Sequence, residues 1–348
     1  MTKLIKFKIF IGTIIIVAFQ SCSNENKFNK EIELWPKIEP FQTGYLKVSD
    51  IHEIYYELCG NPEGIPVFVI HGGPGLGCNS YMRCFFNPNK YLIVLHDQRG
   101  CGRSIPNKEI NDNNTNALIG DIEQLRLHLK LDKIILFGGS WGSTLSLAYA
   151  EKYPENIKAM VLRGIYFATI DEEKSYYPRL KNYFPELYES CMELIPDSIS
   201  ELNSIAFYKL YLSNHDVWEK NLKIIDGLDY KSAVLYISDE ELDEYYNLES
   251  NISELNKSYA IFYHYVANSC FLEDGQLLNN LSKIHGIPVT IINGRFDMKC
   301  PPLNAYILHK NLPGSKLIIT DQAGHTMTEE TTEIELIKAM KELETKLN

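Results

Sequence analysis

Short apolar runs alternate with helix-like segments over most of the chain. Apolar runs of strand length occupy residues 67–70, 91–95, 133–137 (after its first residue, Lys133) and 159–162, and an alternating run occupies 53–58. Helices are predicted at 118–130 and 143–152, in the intervals that follow two of these runs. Apolar strands that alternate with helices indicate a parallel sheet covered by helices on both faces. The pattern therefore predicts an α/β fold.

This alternation stops at about Phe167. The next residues, up to about 285, are rich in Tyr, Glu, Asp and Leu and form helix-like segments without strong apolar strands. The alternation then resumes, with strands predicted at 289–292 and 316–319 and helices at 303–312 and 329–347. We therefore expect one α/β domain, formed by 41–167 and 286–348, that is interrupted by a helical cap at 168–285.

The N-terminal residues have the features of an export signal. Three lysines precede an apolar run at 9–19 that is short for a membrane span, and the run ends at Ser-Cys22. This ending resembles the cleavage site of a bacterial lipoprotein. We expect 1–21 to be a lipoprotein signal peptide, Cys22 to carry lipid, and 22–40 to be a tether. The alternative is an uncleaved signal anchor, and either would hold the globular part at a membrane, outside the cytoplasm.

Composition and charge narrow the range of partners. The 348 residues are 45% hydrophobic and 23% charged, which is enough apolar material for a large buried core. The net charge is −11, and loss of the three leader lysines would take it to about −14. This charge argues against nucleic acid as a partner, and against anionic lipid as a partner of the globular part. The cysteines match no zinc pattern and are expected to be buried thiols, although a Cys78–Cys84 disulfide is compatible with export.

The segment Gly138-Gly-Ser-Trp-Gly142 matches the pattern G-x-S-x-G. It follows the predicted strand 133–137 and precedes the predicted helix 143–152. A sharp turn between a strand and a helix raises a serine hydroxyl above the edge of a sheet, and glycines keep the flanking positions free of side chains. Ser140 is therefore a candidate nucleophile.

A nucleophilic serine needs a histidine as base and an acid that orients the histidine. In the α/β-hydrolase arrangement the acid and then the histidine follow the serine, each after a strand. Asp297 follows the predicted strand 289–292, and His325 follows the strand 316–319. The other candidate histidines are less well placed, since they precede the serine, lie in the cap or do not follow a strand: His71, His264, His285 and His309.

Acyl transfer by a serine also needs N–H donors for the oxyanion. One expected donor is the backbone amide of Trp141, next to the nucleophile. The other is expected in the glycine-rich loop His71-Gly-Gly-Pro-Gly75, after the strand 67–70, with Gly73 as the candidate. No metal or organic cofactor is required by this chemistry.

Four segments together resemble the proline iminopeptidase (prolyl aminopeptidase) family of α/β-hydrolases. They are HGGPG at 71–75, DQRGCGRS at 97–104, GGSWGSTL at 138–145 and GRFD with CPP at 294–302. The resemblance implies Ser140, Asp297 and His325 as the triad, Gly73 and Trp141 as the oxyanion hole, and a peptide substrate that loses its N-terminal residue. It also implies that 97–104 shapes the loop beneath the site, without a catalytic role for Asp97.

The cap departs from the family pattern. Family members carry a glutamate that binds the substrate amine two residues before a His-Tyr pair, and Phe262 stands there in this chain. A second family glutamate aligns with Tyr230-Lys231. Other cap acids are candidates to replace them: Asp229, Asp239, Glu240 and Glu241.

The cap aromatics, including Phe262 and Tyr265, either line a substrate pocket or pack the cap. An esterase or amidase with altered specificity, acting on a small acyl substrate, is therefore the alternative, and a catalytically idle binding module is a third hypothesis.

Overall fold

The computed structural model describes residues 32–247 and 249–347, except for the side chains of 249–254 and 257. The predicted signal peptide 1–21, Cys22 and most of the tether 22–40 lie outside the described residues.

The core of the fold is one eight-stranded sheet. Its strands are β1 (Gln42–Lys47), β2 (Glu53–Gly60), β3 (Ile65–Ile70), β4 (Tyr91–His96), β5 (Ile134–Ser140), β6 (Ile157–Ile165), β7 (Val289–Gly294) and β8 (Lys316–Thr320). They are arranged in the order β1-β2-β4-β3-β5-β6-β7-β8. The pairs β1–β2 and β2–β4 are antiparallel and the remaining pairs are parallel. The predicted α/β fold with a mostly parallel sheet is confirmed.

Helices cover this sheet and bury its central strands. They are α1 (Thr115–His128), α2 (Trp141–Lys152), α11 (Pro302–Asn311) and α12 (Glu330–Leu347). Helix α2 packs on β5 and β6, whereas α11 and α12 pack on β6, β7 and β8. All six residues of β4 are buried, as expected for a strand covered on both faces. All seven cysteines of the described residues are free thiols, so Cys78 and Cys84 are not joined.

Two local details differ from the expectation. Strand β1 was not predicted, because it lies at the antiparallel edge of the sheet and exposes most of its residues, so it has no apolar run. Helix α2 begins at Trp141, two residues before the predicted start, and therefore follows Ser140 directly.

Between β6 and β7, the described residues form the α-helices α3 (Ile170–Leu180), α4 (Pro185–Met192), α5 (Ser204–Ser213), α6 (His215–Lys220), α7 (Leu222–Ala233), α8 (Asp239–Asn247), α9 (Glu249–Ala267) and α10 (Gln276–Asn279). The described residues of this segment contain no strand. Its helices share an aromatic-rich core of their own, which includes Tyr177, Phe207, Trp218, Tyr259 and Tyr263. Helix α3 begins with a capping box, in which Thr169 and Glu172 each bond the backbone N–H of the other. The cap thus has its own packing, separate from that of the sheet.

Candidate active site

Ser140 lies in a strained turn between β5 and α2. Its backbone has φ 58° and ψ −129°, a region that non-glycine residues rarely occupy. A Cβ at Gly138 would lie 2.4 Å from the carbonyl oxygen of Gly142, and one at Gly142 would lie 2.1 Å from that of Ile70. Neither position tolerates a side chain, which explains the two glycines of the motif. The turn has the geometry of a nucleophile elbow.

Asp297 and His325 approach the same end of the sheet. Ser140 pairs with Ile165 at the end of β6. A Cβ at the preceding Gly164 would lie 2.9 Å from Cε1 of His325 and 3.4 Å from Oδ2 of Asp297. At the end of β6, Ser140 therefore lies beside Ile165, and the Asp297–His325 pair packs against Gly164. Three residues that are far apart in the sequence are brought together.

The imidazole of His325 is held by Asp297. Its Nδ1–H donates to Oδ2 of Asp297 at 2.8 Å, and Oδ1 of Asp297 accepts from the backbone N–H of Cys300 at 2.8 Å. With Nδ1 protonated, Nε2 carries the lone pair that a general base needs. Burial lowers the pKa of His325 below its usual 6.5, while the Asp297 carboxylate opposes that shift. The neutral, basic form is therefore favoured near neutral pH.

The backbone of His325 is also anchored. Its N–H donates to the carbonyl of Ala233 at 2.7 Å, and the guanidinium of Arg163 donates to its carbonyl oxygen. The same guanidinium packs against Gly139, where a Cβ would lie 2.4 Å from Nη2 of Arg163. Arg163 thus contacts both the serine turn and the histidine loop, a role that sequence reasoning missed.

The two expected oxyanion donors lie beside Ser140. Trp141 is the first residue of α2, where backbone N–H groups have no partner within the helix. Gly73 lines the same cleft as Ser140. Its φ is +117°, and a Cβ there would lie 2.6 Å from the backbone nitrogen of Gly75. Only glycine fits this conformation.

Gln98 joins the two oxyanion segments. Its side-chain Oε1 accepts from the indole Nε1–H of Trp141 at 2.9 Å, and its Nε2 donates to the carbonyl of His71 at 2.9 Å. Its backbone N–H donates to Nε2 of His71 at 3.0 Å, while Nδ1–H of His71 donates to the Gly72 carbonyl at 2.9 Å. His71 is therefore a neutral structural residue, and burial lowers its pKa. The segment 97–104 shapes the loop through Gln98.

Asp97 has a structural position. Its carboxylate accepts from the backbone N–H of Cys78 at 2.7 Å and from Nε of Arg103 at 2.7 Å. Arg103 also pairs with the buried Glu57 at 2.8 Å. Burial alone would raise the pKa of Asp97, but the hydrogen bonds from Arg103 hold it below its usual value. Asp97 does not line the cleft that contains Ser140, as expected from its proposed non-catalytic role.

A cleft between the cap and the sheet contains Ser140, and we call it the Ser140 cleft. It is lined by Gly73, Ser140, Tyr166, Glu172, Glu173, Tyr176, Ser204, Asp229, Phe262, Lys299 and Cys300. Phe262 is thus placed at the substrate side of the cap. Three carboxylates share the cleft with one lysine, and that lysine pairs with Asp229. The cleft has an excess of acidic groups.

Of the two roles left open for the ring of Tyr265, lining a substrate pocket or packing the cap, its position in the structure corresponds to packing. Tyr265 is fully buried, its hydroxyl donates to Oδ1 of Asn113 at 2.8 Å, and its ring packs edge-on against Trp141 at 5.1 Å between centroids. It has no surface toward the Ser140 cleft. The size of its ring and the presence of a buried amide partner explain this placement, in which Tyr265 supports Trp141 from behind.

The other cap acids are divided between the cleft and the surface. Asp229 lines the cleft and accepts from the hydroxyl of Tyr176 at 2.8 Å. Asp239 is exposed and pairs with Lys231 at 2.6 Å, and Glu240 and Glu241 are also exposed.

Sequence reasoning missed Glu172 and Glu173. The Thr169-x-x-Glu172 spacing, typical of a helix start, was the available signal. Oε2 of Glu173 accepts from the hydroxyl of Ser204 at 3.1 Å, and its Oε1 accepts from that of Tyr166. Burial raises the pKa of both glutamates.

Among the described residues, no group of three or more His, Cys, Asp or Glu side chains is arranged to hold a metal ion. No helix in the same part of the chain has the length and apolar character to cross a membrane.

Fold and site define an α/β-hydrolase, and comparison with known proteins agrees. A family model described as an alpha/beta hydrolase fold matches residues 65–331. The proline iminopeptidase of Xylella fastidiosa is 39% identical over 299 residues, which cover 85% of this chain and 94% of the relative. That of Arabidopsis thaliana is 37% identical over 315 residues, covering 88% and 80%. The chain belongs to the proline iminopeptidase family of α/β-hydrolases.

The solved structures add evidence on the fold. The crystal structure of a Mycobacterium smegmatis proline iminopeptidase superposes with a TM-score of 0.63 at 14% identity, covering 88% of this chain and all of that one. At this level of identity the match is evidence for the fold alone.

Proposed function

We propose that this protein is a serine aminopeptidase that releases an N-terminal residue, preferably proline, from peptides. Ser140 Oγ attacks the carbonyl carbon of that residue while Nε2 of His325 takes the hydroxyl proton. The backbone N–H groups of Gly73 and Trp141 hold the oxyanion, and Asp297 stabilises the imidazolium. The imidazolium then gives its proton to the leaving amine, and water, deprotonated by His325, releases the amino acid from the serine.

The acidic lining of the Ser140 cleft is the observation that carries this proposal. A free N-terminus is cationic, and burying an ammonium without a partner is costly. Asp229 and Glu173 present carboxylates to the cleft from two cap helices, and Glu172 adds a third beside them. Burial raises the pKa of Glu173, and a bound ammonium would offset that desolvation. These carboxylates take the place of the amine-binding glutamate that family members carry at the position of Phe262.

The esterase or amidase alternative loses its main support for the same reason. It rested on the absence of an amine-binding carboxylate at Phe262 and at Tyr230-Lys231. An ester or a blocked amide presents no cation to offset the excess negative charge of the cleft, where the one lysine pairs with Asp229.

The test compares free and blocked amines. We expect proline p-nitroanilide to be cleaved much faster than its N-acetyl form, because only the free amine pairs with the cleft carboxylates. Asp229→Asn should lower kcat/KM for the free amine by about 10- to 100-fold, since a charged partner of a buried ion is lost. Hydrolysis of p-nitrophenyl acetate should change little.

Asp239→Asn is the matched control, because Asp239 is an exposed cap aspartate outside the cleft. Equal cleavage of the free and acetylated anilides would contradict the proposal and would favour the esterase or amidase alternative.

We also propose that the protein is an exported lipoprotein whose catalytic domain lies outside the cytoplasm. The support is the lysine-rich start, the apolar run 9–19 and the Ser-Cys22 ending. Mass spectrometry of the membrane fraction should find diacylglyceryl-modified Cys22 at the N-terminus. Cys22→Ala should abolish this modification, and an unmodified, uncleaved N-terminus in the unaltered protein would refute the lipoprotein assignment.

A further inference from the structure

A second and larger cavity adjoins the Ser140 cleft, and we call it the side cavity. Its volume is about 550 Å³, compared with about 80 Å³ for the cleft. Sites for small ligands commonly occupy about 300–1,000 Å³. The side cavity is lined by Ala168, Thr169, Ile170, Glu173, Lys174, Ile199, Glu201, Leu202, Asn203, Ser204, Ile205, Ala206, Lys209, Val266, Ala267, Ser269 and Cys270.

The two spaces share a wall. Glu173 and Ser204 line both of them, and the Ser204 hydroxyl donates to Oε2 of Glu173 where the two spaces meet. The cleft has space for little more than the residue whose carbonyl is attacked. The rest of a peptide substrate needs a space that begins beside the scissile bond, and the side cavity adjoins the cleft at this wall.

A strained turn forms part of the side cavity. Ser269, Cys270 and Phe271 have φ values of 49°, 52° and 52°, three consecutive residues in the left-handed region. Each such residue without glycine costs about 1–2 kcal/mol. The hydroxyl of Thr115 on α1 donates to the carbonyl of Cys270 and holds the turn in place. Strain of this kind persists where the surroundings enforce a particular shape, often at a ligand site.

Two lysines give the side cavity a site for an anion. Lys174 on α3 and Lys209 on α5 line it, and neither ammonium bonds to another side chain among the described residues. Of the two acids in the lining, Glu173 is engaged by Tyr166 and Ser204, and Glu201 is exposed, as both lysines are. No ion pair joins Glu201 to either lysine among the described residues, so the cavity offers two solvent-accessible cations without a side-chain partner.

We propose that the side cavity binds the leaving part of a short peptide and that Lys174 and Lys209 pair with its C-terminal carboxylate. The inference rests on the proposed function and adds a substrate class to it, namely short peptides with a free carboxyl terminus. The acidic cleft selects the amine end of the substrate, and the two lysines select the other end.

The experiment measures kcat/KM for Pro-Gly-Gly, for the same tripeptide with a C-terminal amide, and for proline p-nitroanilide. The unaltered enzyme should prefer the free carboxylate over the amide. The double substitution Lys174→Gln/Lys209→Gln should lower kcat/KM for the free tripeptide by about tenfold, as expected for the loss of two partly solvated ion pairs. Its values for the amide and the anilide should stay unchanged.

Lys220→Gln serves as the control, because Lys220 is exposed on α6 and does not line the cavity. It should leave all three values as they are. Equal rates on the free and amidated tripeptides, or an equal fall for both in the double variant, would overturn the inference. The anilide has no residue beyond the scissile bond, so it reports the proposed function by itself. Failure of the unaltered enzyme to cleave it would overturn both proposals.

Discussion

The core wall of the Ser140 cleft and its cap wall hold their polar side chains in different ways. On the core side, Ser140 ends β5, while Asp297 and His325 lie in the loops that follow β7 and β8 of the same sheet, and backbone contacts hold these loops. On the cap side, Glu173 and Asp229 project from separate helices and are held by side-chain hydroxyls and a lysine. The rigid wall is suited to chemistry, which needs fixed geometry, and the cap wall is suited to selecting substrates.

The difference also follows from the packing of each wall. The strands behind Ser140 are buried on both faces, so a displaced backbone would disturb the whole sheet. The cap has a separate aromatic core, in which Trp218 packs edge-on against Tyr259 and Tyr263. A change on a cap helix can therefore alter the cleft while the sheet stays intact. Substitutions in the two walls should accordingly produce different kinetic signatures.

The largest effect is expected at Ser140. Ser140→Ala should lower kcat for proline p-nitroanilide by at least about 10⁴-fold, because it removes the hydroxyl that forms the acyl-enzyme. Labelling by a fluorophosphonate probe should be lost as well. Ser190→Ala, at a half-buried serine of the cap that does not line the cleft, should retain both activity and labelling. Full labelling of the Ser140→Ala variant would refute the role of Ser140 as nucleophile. It would also contradict the assignment of the chemistry to the core wall.

Gln98 should show a smaller effect confined to kcat. Gln98→Met keeps the side-chain length but removes the bonds to Trp141 and to the His71 carbonyl. With the oxyanion segments no longer joined, kcat should fall by about 10- to 100-fold, since one misplaced donor costs that much. KM should change little, because the cap wall is untouched.

The exposed Gln124 on α1 provides the matched control as Gln124→Met. A Gln98 variant with unchanged kcat and a raised KM would show that the core wall also selects substrate, and the contrast between the walls would fail.

The same contrast explains which residues the sequence predicts. Ser140, Asp297 and His325 each lie a few residues after an apolar run, so local pattern and chain order place them together. Glu173 and Asp229 are on different helices, and no local pattern tells which helix face meets the cleft. An alignment at Tyr230-Lys231 misses Asp229 by one position, which is a rotation of about 100° around α7. Lys231 consequently pairs with Asp239 outside the cleft.

The networks behind the site were also beyond sequence reasoning. Gln98 and Arg163 contact segments that are distant in the chain. The segment 97–104 indicated a role for this loop but not the bonds of Gln98, and Arg163 belongs to no pattern of spaced residues. Tyr265 shows the converse case. Its ring was a reasonable candidate for a substrate pocket, and only the packed structure shows that it lies behind Trp141 with its hydroxyl satisfied.

The smallest effect on activity is expected at Glu151, which lies on α2 but far from the cleft. Glu151 is 8% exposed, Oε1 has no partner, and the other oxygen accepts from Asn280 at 3.3 Å. Burial raises its pKa from 4.5 to about 7. As the pH rises from 4.5 to about 7, the unfolded chain loses this proton while the native state retains it, so stability falls across that window and stays lower above it.

Glu151→Gln removes this titration. At about pH 8 the variant should be more stable than the unaltered protein by about 1–3 kcal/mol, and near pH 4 the two should be equal. Urea unfolding at both pH values measures the difference, with the exposed Glu155→Gln as control. Because Glu151 touches neither wall, the ratio of kcat/KM for the free prolyl anilide to kcat/KM for the acetylated anilide should stay unchanged. A changed ratio would mean that the packing of α2 reaches the cap wall, and that substrate selection is not separate from the core.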